Sequence, residues 1–343
     1  MTPKRRIIPV FVPHMGCPHT CVFCDQKTIS GAITPATAED VHDALRPVMK
    51  DEPGAEQNRT DALPAELAFY GGSFTALPVA MQNELLEAAA PFLGMDPRNS
   101  IRLSTRPDCI DESCLERLKT YRVATIEIGA QSMCDDVLGM SMRGHTSSDV
   151  VRSASMIKQQ GFSLILQMMT GLPGDTYEKS VYTAQRLINL QPDGVRIYPT
   201  AVVRGTTLHE LWLQGEYMPQ TLGDAVGLCA TLCGLFQNAG IPVIRLGLNP
   251  NEALSAGDAV AGAYHPAFGE LVYSKMYCDR ASAMLEGVMP GSCVRIVVPR
   301  GRTSRMTGSH RSNIYFLSEK YALKHLKIVE SDMSADDIMI EMY

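Results

Sequence analysis

The sequence predicts an α/β fold in which βαβ units build a parallel sheet and a small α+β appendage follows. Two observations lead there. Short β-rich runs alternate with helix-length segments over the first 250 residues, the order that crossover connections and a parallel sheet impose. After Gly291 the pattern changes to shorter, more basic runs. The expected division is a core over 1–250, a barrel-closing extension over 251–290 and a small basic domain over 291–343.

The elements follow in order. Ile7–Val12 is a short apolar run that reads as a buried strand. A Cys/Pro/His loop ends at Cys24, and Thr37–Met49 has helical length. The polar segment Asp51–Pro64 reads as a surface loop. Strand candidates then alternate with helices: Glu66–Tyr70 and Val79–Phe92, Ile101–Ser104 and Glu112–Thr120, Ala124–Gly129 and Ser147–Gln160. Phe162–Met168 with Tyr177–Asn189, Gly194–Tyr198 with Leu222–Ala239, and Ile241–Leu246 complete the series. Within the appendage, Cys293–Val298 alternates like a strand, and Gly308–Asn313 is a basic turn before Ile314–Leu317. Tyr321–Leu326 is expected as a short helix and Ile338–Met342 as a last strand. No GxGxxG follows a strand, which argues against a dinucleotide fold.

Motif-like clusters sit just after the strands: the cysteine loop, Gly71-Gly72-Ser73-Phe74, Ser104–Asp108, Gly129–Ser132, Gln167–Gly174 and Tyr198–Thr200. In parallel α/β folds those strand ends form one rim where ligands bind. The clusters are therefore expected to converge on one active centre.

Cys17, Cys21 and Cys24 give the spacing C-x3-C-x2-C. Thiolates are the ligands of iron–sulfur clusters, which normally take four, so a loop with three leaves one iron open for chemistry. A structural zinc site wants two pairs of ligands. His14 or His19 offers a fourth, but no second pair follows at zinc-finger distance. Of the other seven cysteines only Cys229 and Cys233 are spaced to share a helix face, and free cysteine is an ordinary core residue.

The cysteine spacing, with Phe23 before the last cysteine, resembles the cluster loop of the radical S-adenosylmethionine (SAM) enzymes. The resemblance implies a partial (β/α)6-type TIM barrel, one [4Fe–4S] cluster on the three cysteines, and SAM on the open iron, cleaved to a 5′-deoxyadenosyl radical. It also implies an external electron donor, flavodoxin- or ferredoxin-like. Gly71, Gly72 and Ser73 resemble the segment whose backbone meets the methionine ammonium of SAM. Gln131 and Arg143, twelve apart, resemble a SAM-holding pair of oxygen-independent coproporphyrinogen III oxidase, and a guanidinium suits a carboxylate. Gln167 stands where that oxidase has an aspartate for the ribose, and Ser104 where relatives often carry a glutamate. Phe11 and Phe23 are expected near the adenine, and Tyr198 at the rim.

A longer likeness is to the radical SAM domain of the Elongator catalytic subunit. Val195-Arg-Ile-Tyr-Pro-Thr-Ala-Val-Val-Arg-Gly-Thr-Thr-Leu208, Leu211–Pro219, Thr105-Arg-Pro-Asp108, Arg143-Gly-His-Thr146 and Leu172-Pro-Gly174 carry it, over roughly residues 5 to 285. That relative modifies the wobble uridine of transfer RNA and also has an acetyltransferase domain. Too few residues follow Ala283 here for such a domain. The implied function is radical SAM chemistry on an RNA (tRNA) base; a porphyrin-like small molecule and a non-catalytic iron–sulfur RNA-binding or sensor protein are the alternatives.

Composition agrees with a globular chain: 343 residues, 45% hydrophobic, net charge −6. Ten cysteines without a secretory signal point to a reducing, cytoplasmic setting. No stretch approaches the roughly 20 apolar residues of a membrane helix, so no membrane partner is expected. The positive charge is concentrated between Arg295 and Lys327, before an acidic tail. Arg300, Arg302, Arg305, Arg311, Lys320 and Lys324 are the RNA-binding candidates of this block. His265 and Glu270, in the loop Tyr264–Glu270, are acid–base capable, with anchoring of the loop as the plainer role.

Overall fold

The computed structural model describes residues 5–12, 17, 21–25, 35–49, 63–248, 257–334 and 337–343. The expected loop Asp51–Pro64 lies outside them up to residue 62, as do His14 and His19.

Twelve strands are present among the described residues: β1 Arg6–Val12, β2 Ala65–Gly71, β3 Ser100–Thr105, β4 Val123–Gln131, β5 Ser163–Thr170, β6 Gly194–Pro199, β7 Ala201–Val203, β8 Val243–Leu246, β9 Ala259–Gly262, β10 Cys293–Pro299, β11 His325–Ser331 and β12 Met339–Met342. Seven form one sheet in the order β1-β2-β3-β4-β5-β6-β8, parallel throughout. This is the curled half-barrel of the expected α/β class. Each strand candidate of the core lies in this sheet.

The outer face of the sheet is apolar and packs the helices. Leu67, Phe69, Ile101, Leu103, Ile126, Ile128, Leu164, Leu166, Val195 and Ile197 join Leu45, Leu85, Leu115, Ile157, Leu187 and Phe236 in one buried core. Capping fixes where several helices start. Thr146 and Asp149 form a reciprocal capping box ahead of Ser147–Gln159, and Thr176, Thr206 and Thr221 each accept a backbone N–H at their helix starts. The helix expected over Val79–Phe92 is broken into Val79–Ala88 and Ala90–Met95, because Pro91 cannot continue the ladder of a preceding helix.

The other face of the sheet points inward and is polar. By register, Gly129, Gln167 and Arg196 share one layer, and Met169 with Tyr198 the next toward the strand ends. The strands curl around a chamber of about 1880 Å3 that reaches from the cysteine loop to the N-terminal strand ends at Arg5, Ser163 and Pro242.

At the C-terminus β10 pairs in parallel with β11 and antiparallel with β12. The long helix Phe268–Met284 serves both cores: Phe268 and Val272 bury against the barrel, while Tyr277, Cys278 and Ala281 bury against Val294, Ile296, Ile314 and Leu317. One expectation fails here. Tyr321–Leu326 is not a helix: Ala322 turns to φ +46°, which ends the helix Ser312–Lys320, and His325 begins β11.

Candidate active site

The cysteine loop is fastened by backbone bonds from two distant segments. Val22 donates its N–H to Ser141 O at 3.2 Å, and Leu208 N–H donates to Val22 O at 2.7 Å. Val22 also packs in a small apolar cluster with Val202, Leu208 and Tyr217, with Phe23 and Trp212 against it. This packing comes from the antiparallel pair β7–β9 and the helix Thr207–Leu213. Sequence reasoning did not assign Leu208, Trp212 or Tyr217 to the site. Their signal was their place in the long Elongator-like string.

Cys17, Phe23 and Cys24 line the chamber. Cys21 is buried and its Sγ accepts from Arg143 Nη1 at 3.3 Å. Among the described residues no three His, Cys, Asp or Glu side chains converge as a metal-ion site. The three thiols thus share one loop beside the chamber without being gathered on one point, and a guanidinium N–H takes the sulfur of the middle one.

Gly71, Gly72 and Ser73 follow β2 and line the same chamber. Gly71 has φ +104°, and Gly72 N–H donates to Val12 O at 2.6 Å, tying this segment to the end of β1. Ser73 Oγ is occupied: it shares a hydrogen bond of 2.9 Å with Thr105 Oγ1 and accepts from Arg106 N at 3.2 Å. Its hydroxyl organises the rim, while the glycines, lacking a Cβ, let a ligand come close to the backbone.

The end of β4 is strained. Gln131 has φ +64°, Ser132 N–H donates back to Ala130 O at 2.8 Å, and the pairing with β5 slips between Gly129 and Gln131. A side-chain-bearing residue held left-handed in a tight turn costs about 1–3 kcal/mol and persists where its surroundings enforce it. The enforcing partner is His145, whose Nε2–H donates to Ala130 O at 3.2 Å. Burial, and then the Arg143 charge, push the His145 pKa down to about 4, so the ring is neutral at ordinary pH.

The turn brings Gln131 and Arg143 together. Arg143 Nη2 donates to Gly129 O at 2.9 Å, and Gln167 Nε2 donates to Gln131 Oε1 at 3.2 Å. A Cβ on Gly129 would lie 2.7 Å from both Arg143 Nη2 and Gln131 Nε2, so glycine here is what lets the two side chains meet. Arg106 Nη2 donates to Arg143 O at 2.7 Å, and its Nε is paired with Asp108 at 3.0 Å. Phe11, Ser104 and Tyr198 also line the chamber.

Two buried nitrogens, Arg143 Nε and Arg106 Nη1, have no hydrogen-bond partner. Together with the three cysteine sulfurs of the loop, they give a donor set that fits iron on sulfur and a carboxylate on guanidinium.

Deeper in the chamber lies a charge network that the sequence reading missed. Arg102 bridges Glu66 at 2.8 Å and Glu127 at 2.7 Å, and Arg196 pairs with Glu127 at 2.8 Å. Tyr70 donates to Glu127 at 3.3 Å, and Tyr198 Oη accepts from Arg196 Nη1 at 3.3 Å. Burial and the Glu127 charge push the Tyr70 phenol up to about 12. Burial works against the Arg196 charge, but Glu127 and the two tyrosines outweigh it and hold it ionised.

The basic block between Arg295 and Lys327 is less available than its composition suggests. Arg300 pairs with Asp332 at 2.6 Å, and Arg305 with Glu270 at 2.8 Å while lying over the Tyr273 ring. Lys320 Nζ donates to Ser282 Oγ at 2.8 Å. Arg302, Arg311 and Lys324 show no side-chain hydrogen bond or ion pair among the described residues. In the loop Tyr264–Glu270, His265 Nδ1 accepts from Ala267 N at 3.0 Å, an anchoring bond, and Glu270 pairs with Arg305.

Comparison with known proteins agrees with this geometry. Residues 11–187 match the family described as the Radical SAM superfamily, and residues 192–278 the Radical_SAM C-terminal domain. The chain is 24% identical over 303 residues to the tRNA uridine(34) acetyltransferase of Methanocaldococcus jannaschii, covering 79% of this chain and 55% of that protein. It is 31% identical over 190 residues to human Elongator complex protein 3, covering 50% of this chain and 35% of the relative. It therefore spans about half or less of the length of these relatives. Among solved structures, the archaeal Methanocaldococcus infernus Elp3 with an N-terminal deletion superposes with a TM-score of 0.61 at 20% identity, over 80% of this chain and 64% of the other. No helix of the described residues is long and apolar enough to cross a membrane. Since the superfamily match alone spans more than half of the 343 residues, this chain belongs to the radical SAM superfamily, enzymes that use a [4Fe–4S] cluster and S-adenosylmethionine.

Proposed function

We propose that this enzyme cleaves SAM reductively and directs the resulting radical at a base of RNA, with transfer RNA as the substrate class. The observation that carries the reading is the fastening of the cysteine loop by the Elongator-like segment: Leu208 and Val22 are bonded directly, and Trp212 packs on the same cluster. The likeness to a tRNA uridine(34) acetyltransferase supports RNA over a porphyrin-like small molecule.

When bound, the cluster and SAM supply a carbon-centred radical able to take hydrogen from an unactivated C–H bond. The chain's own residues bind and orient. Cys17, Cys21 and Cys24 hold iron, which requires Cys21 to exchange its Arg143 contact for the metal. Arg143, freed from that sulfur, takes the methionine carboxylate with its unpartnered Nε. Gly71 and Gly72 present backbone to the ammonium, with Ser73 fixing the rim behind them. Gln131 and Gln167, already joined, face the ribose, while Phe11 and Phe23 flank the adenine and Ser104 and Tyr198 complete the wall. The walls of the chamber limit the water that reaches the reacting centre. An external donor of the flavodoxin or ferredoxin class supplies the electron. Arg302, Arg311 and Lys324 are the remaining RNA-binding residues of the basic block.

The test is anaerobic reconstitution followed by chromatography for 5′-deoxyadenosine, with and without bulk transfer RNA. Release of 5′-deoxyadenosine that rises with transfer RNA supports the proposal. Release indifferent to RNA but stimulated by a small-molecule extract overturns its RNA half. A chain in which Arg302, Arg311 and Lys324 are all glutamine should retain less RNA, with a salt slope shallower by about 0.7 for each phosphate it no longer neutralises.

A further inference from the structure

Arg245 stands apart from the other arginines of the chamber. Arg102, Arg106 and Arg196 are ion-paired. Arg5 is bonded to Ser100 Oγ, Arg143 to Gly129 O and Arg280 to Gln237 Oε1. Arg245 lines the same chamber and is half-buried, yet its side chain has neither a hydrogen bond nor an ion pair among the described residues.

Its position makes that lack costly. Arg245 on β8 is the register partner of Arg196 on β6, and both face the chamber. Neighbouring strands lie roughly 4.8 Å apart, and like charges opposite one another on a sheet are destabilising. Glu127 balances Arg196 and is shared with Arg102, so no carboxylate of the network is left for Arg245. Among the described residues no anion faces this second guanidinium, and one that joined it would relieve the repulsion. Through Arg196, Arg245 is level with Gln167 and Gly129, the layer that supports Gln131 and Arg143. It sits on β8, the last strand of the sheet.

We propose that Arg245 binds an anionic oxygen of the substrate at this end of the sheet, two strands across from Gln167. A guanidinium offers two parallel donors to a phosphate or a carboxylate. Because it rests on the RNA reading above, the occupant is a backbone phosphate of the nucleotide whose base enters the chamber. A neutral substrate leaves Arg245 without purpose.

Arginine-selective labelling with phenylglyoxal, mapped by mass spectrometry on the reconstituted full chain, tests this. Arg245 should react in the free protein, and inorganic phosphate should slow its labelling several-fold. A short oligouridylate should do the same at lower concentration, and Arg245→Gln should make the oligouridylate salt slope shallower by about 0.7, while Arg245→Lys keeps most of it. Labelling of Arg245 unaffected by phosphate, or an Arg245 that does not react at all, overturns the proposal. Protection by phosphate but not by oligouridylate supports the anion site and overturns the RNA reading alone.

Discussion

Replacing Gly129 by alanine puts a methyl carbon 2.7 Å from Arg143 Nη2 and the same distance from Gln131 Nε2. Neither neighbour can simply step aside. Arg143 is fixed at one end by Arg106, which donates to its carbonyl, and its guanidinium is bonded to Gly129 O. Gln131 is held left-handed by the turn and bonded to Gln167. The methyl therefore displaces the guanidinium and the amide together. Hydrogen bonds to charged groups contribute about 1.5–3 kcal/mol, so without the Arg143 bond alone SAM binding should weaken roughly ten- to a hundredfold. Overpacking should cost about 1–3 kcal/mol of stability, visible as a lowered melting temperature. The assay is equilibrium binding of SAM to anaerobically reconstituted Gly129→Ala, with iron content measured alongside. Affinity within twofold of the parent at equal iron would show that Arg143 and Gln131 do not hold SAM in the way their meeting at Gly129 implies.

Three further outcomes are expected. Cys17→Ala, Cys21→Ala and Cys24→Ala should each abolish the broad visible absorbance of the reconstituted protein; close to four irons retained by the triple variant would remove the loop from the cluster. His145 has its folded pKa lowered to about 4 from an ordinary 6.5, so the unfolded chain binds its proton first. Stability from this residue is flat above pH 6.5, falls as pH drops toward 4 and levels off below, a change of up to about 3 kcal/mol; urea midpoints of the parent and of His145→Gln across that window should converge as pH falls. Glu127→Ala strands Arg196, while Arg102 keeps Glu66, and should destabilise the chain by about 3–5 kcal/mol, while Glu127→Gln should lower the Tyr70 phenol from about 12, read by ultraviolet titration.

The half-barrel was legible because each of its strands is a short β-rich run set between helix-length segments. The positions of the site loops followed from parallel topology alone, and Gly71, Gln131, Arg143, Gln167 and Tyr198 do meet at one chamber. What escaped was everything decided by pairing across the chain. Glu66, Arg102, Glu127 and Arg196 each read as a lone polar residue in an apolar strand, and they acquire meaning only when the sheet curls and turns them toward each other. A charge in mid-strand, repeated on four strands, was the available signal. The pairing of the basic block was hidden for the same reason, since Glu270 and Asp332, partners of Arg305 and Arg300, lie outside its densest stretch. At Tyr321–Leu326 the side-chain pattern suited a helix, and the backbone reversal at Ala322 overrode it.

The two bonds that hold Val22, one to Ser141 and one to Leu208, bear on the order in which the molecule assembles. A loop near the start of the chain is clamped by a segment that follows the sixth barrel strand. Closing so long a span costs chain entropy before it returns any stabilisation. The thiol loop therefore acquires its shape only once the strands between have paired, and iron offered earlier meets three cysteines on a loose chain. Maturation then has a sequence: barrel first, clamp second, metal last. Slackening the clamp, as with Leu208→Ala, should leave a folded barrel that takes up its cluster slowly.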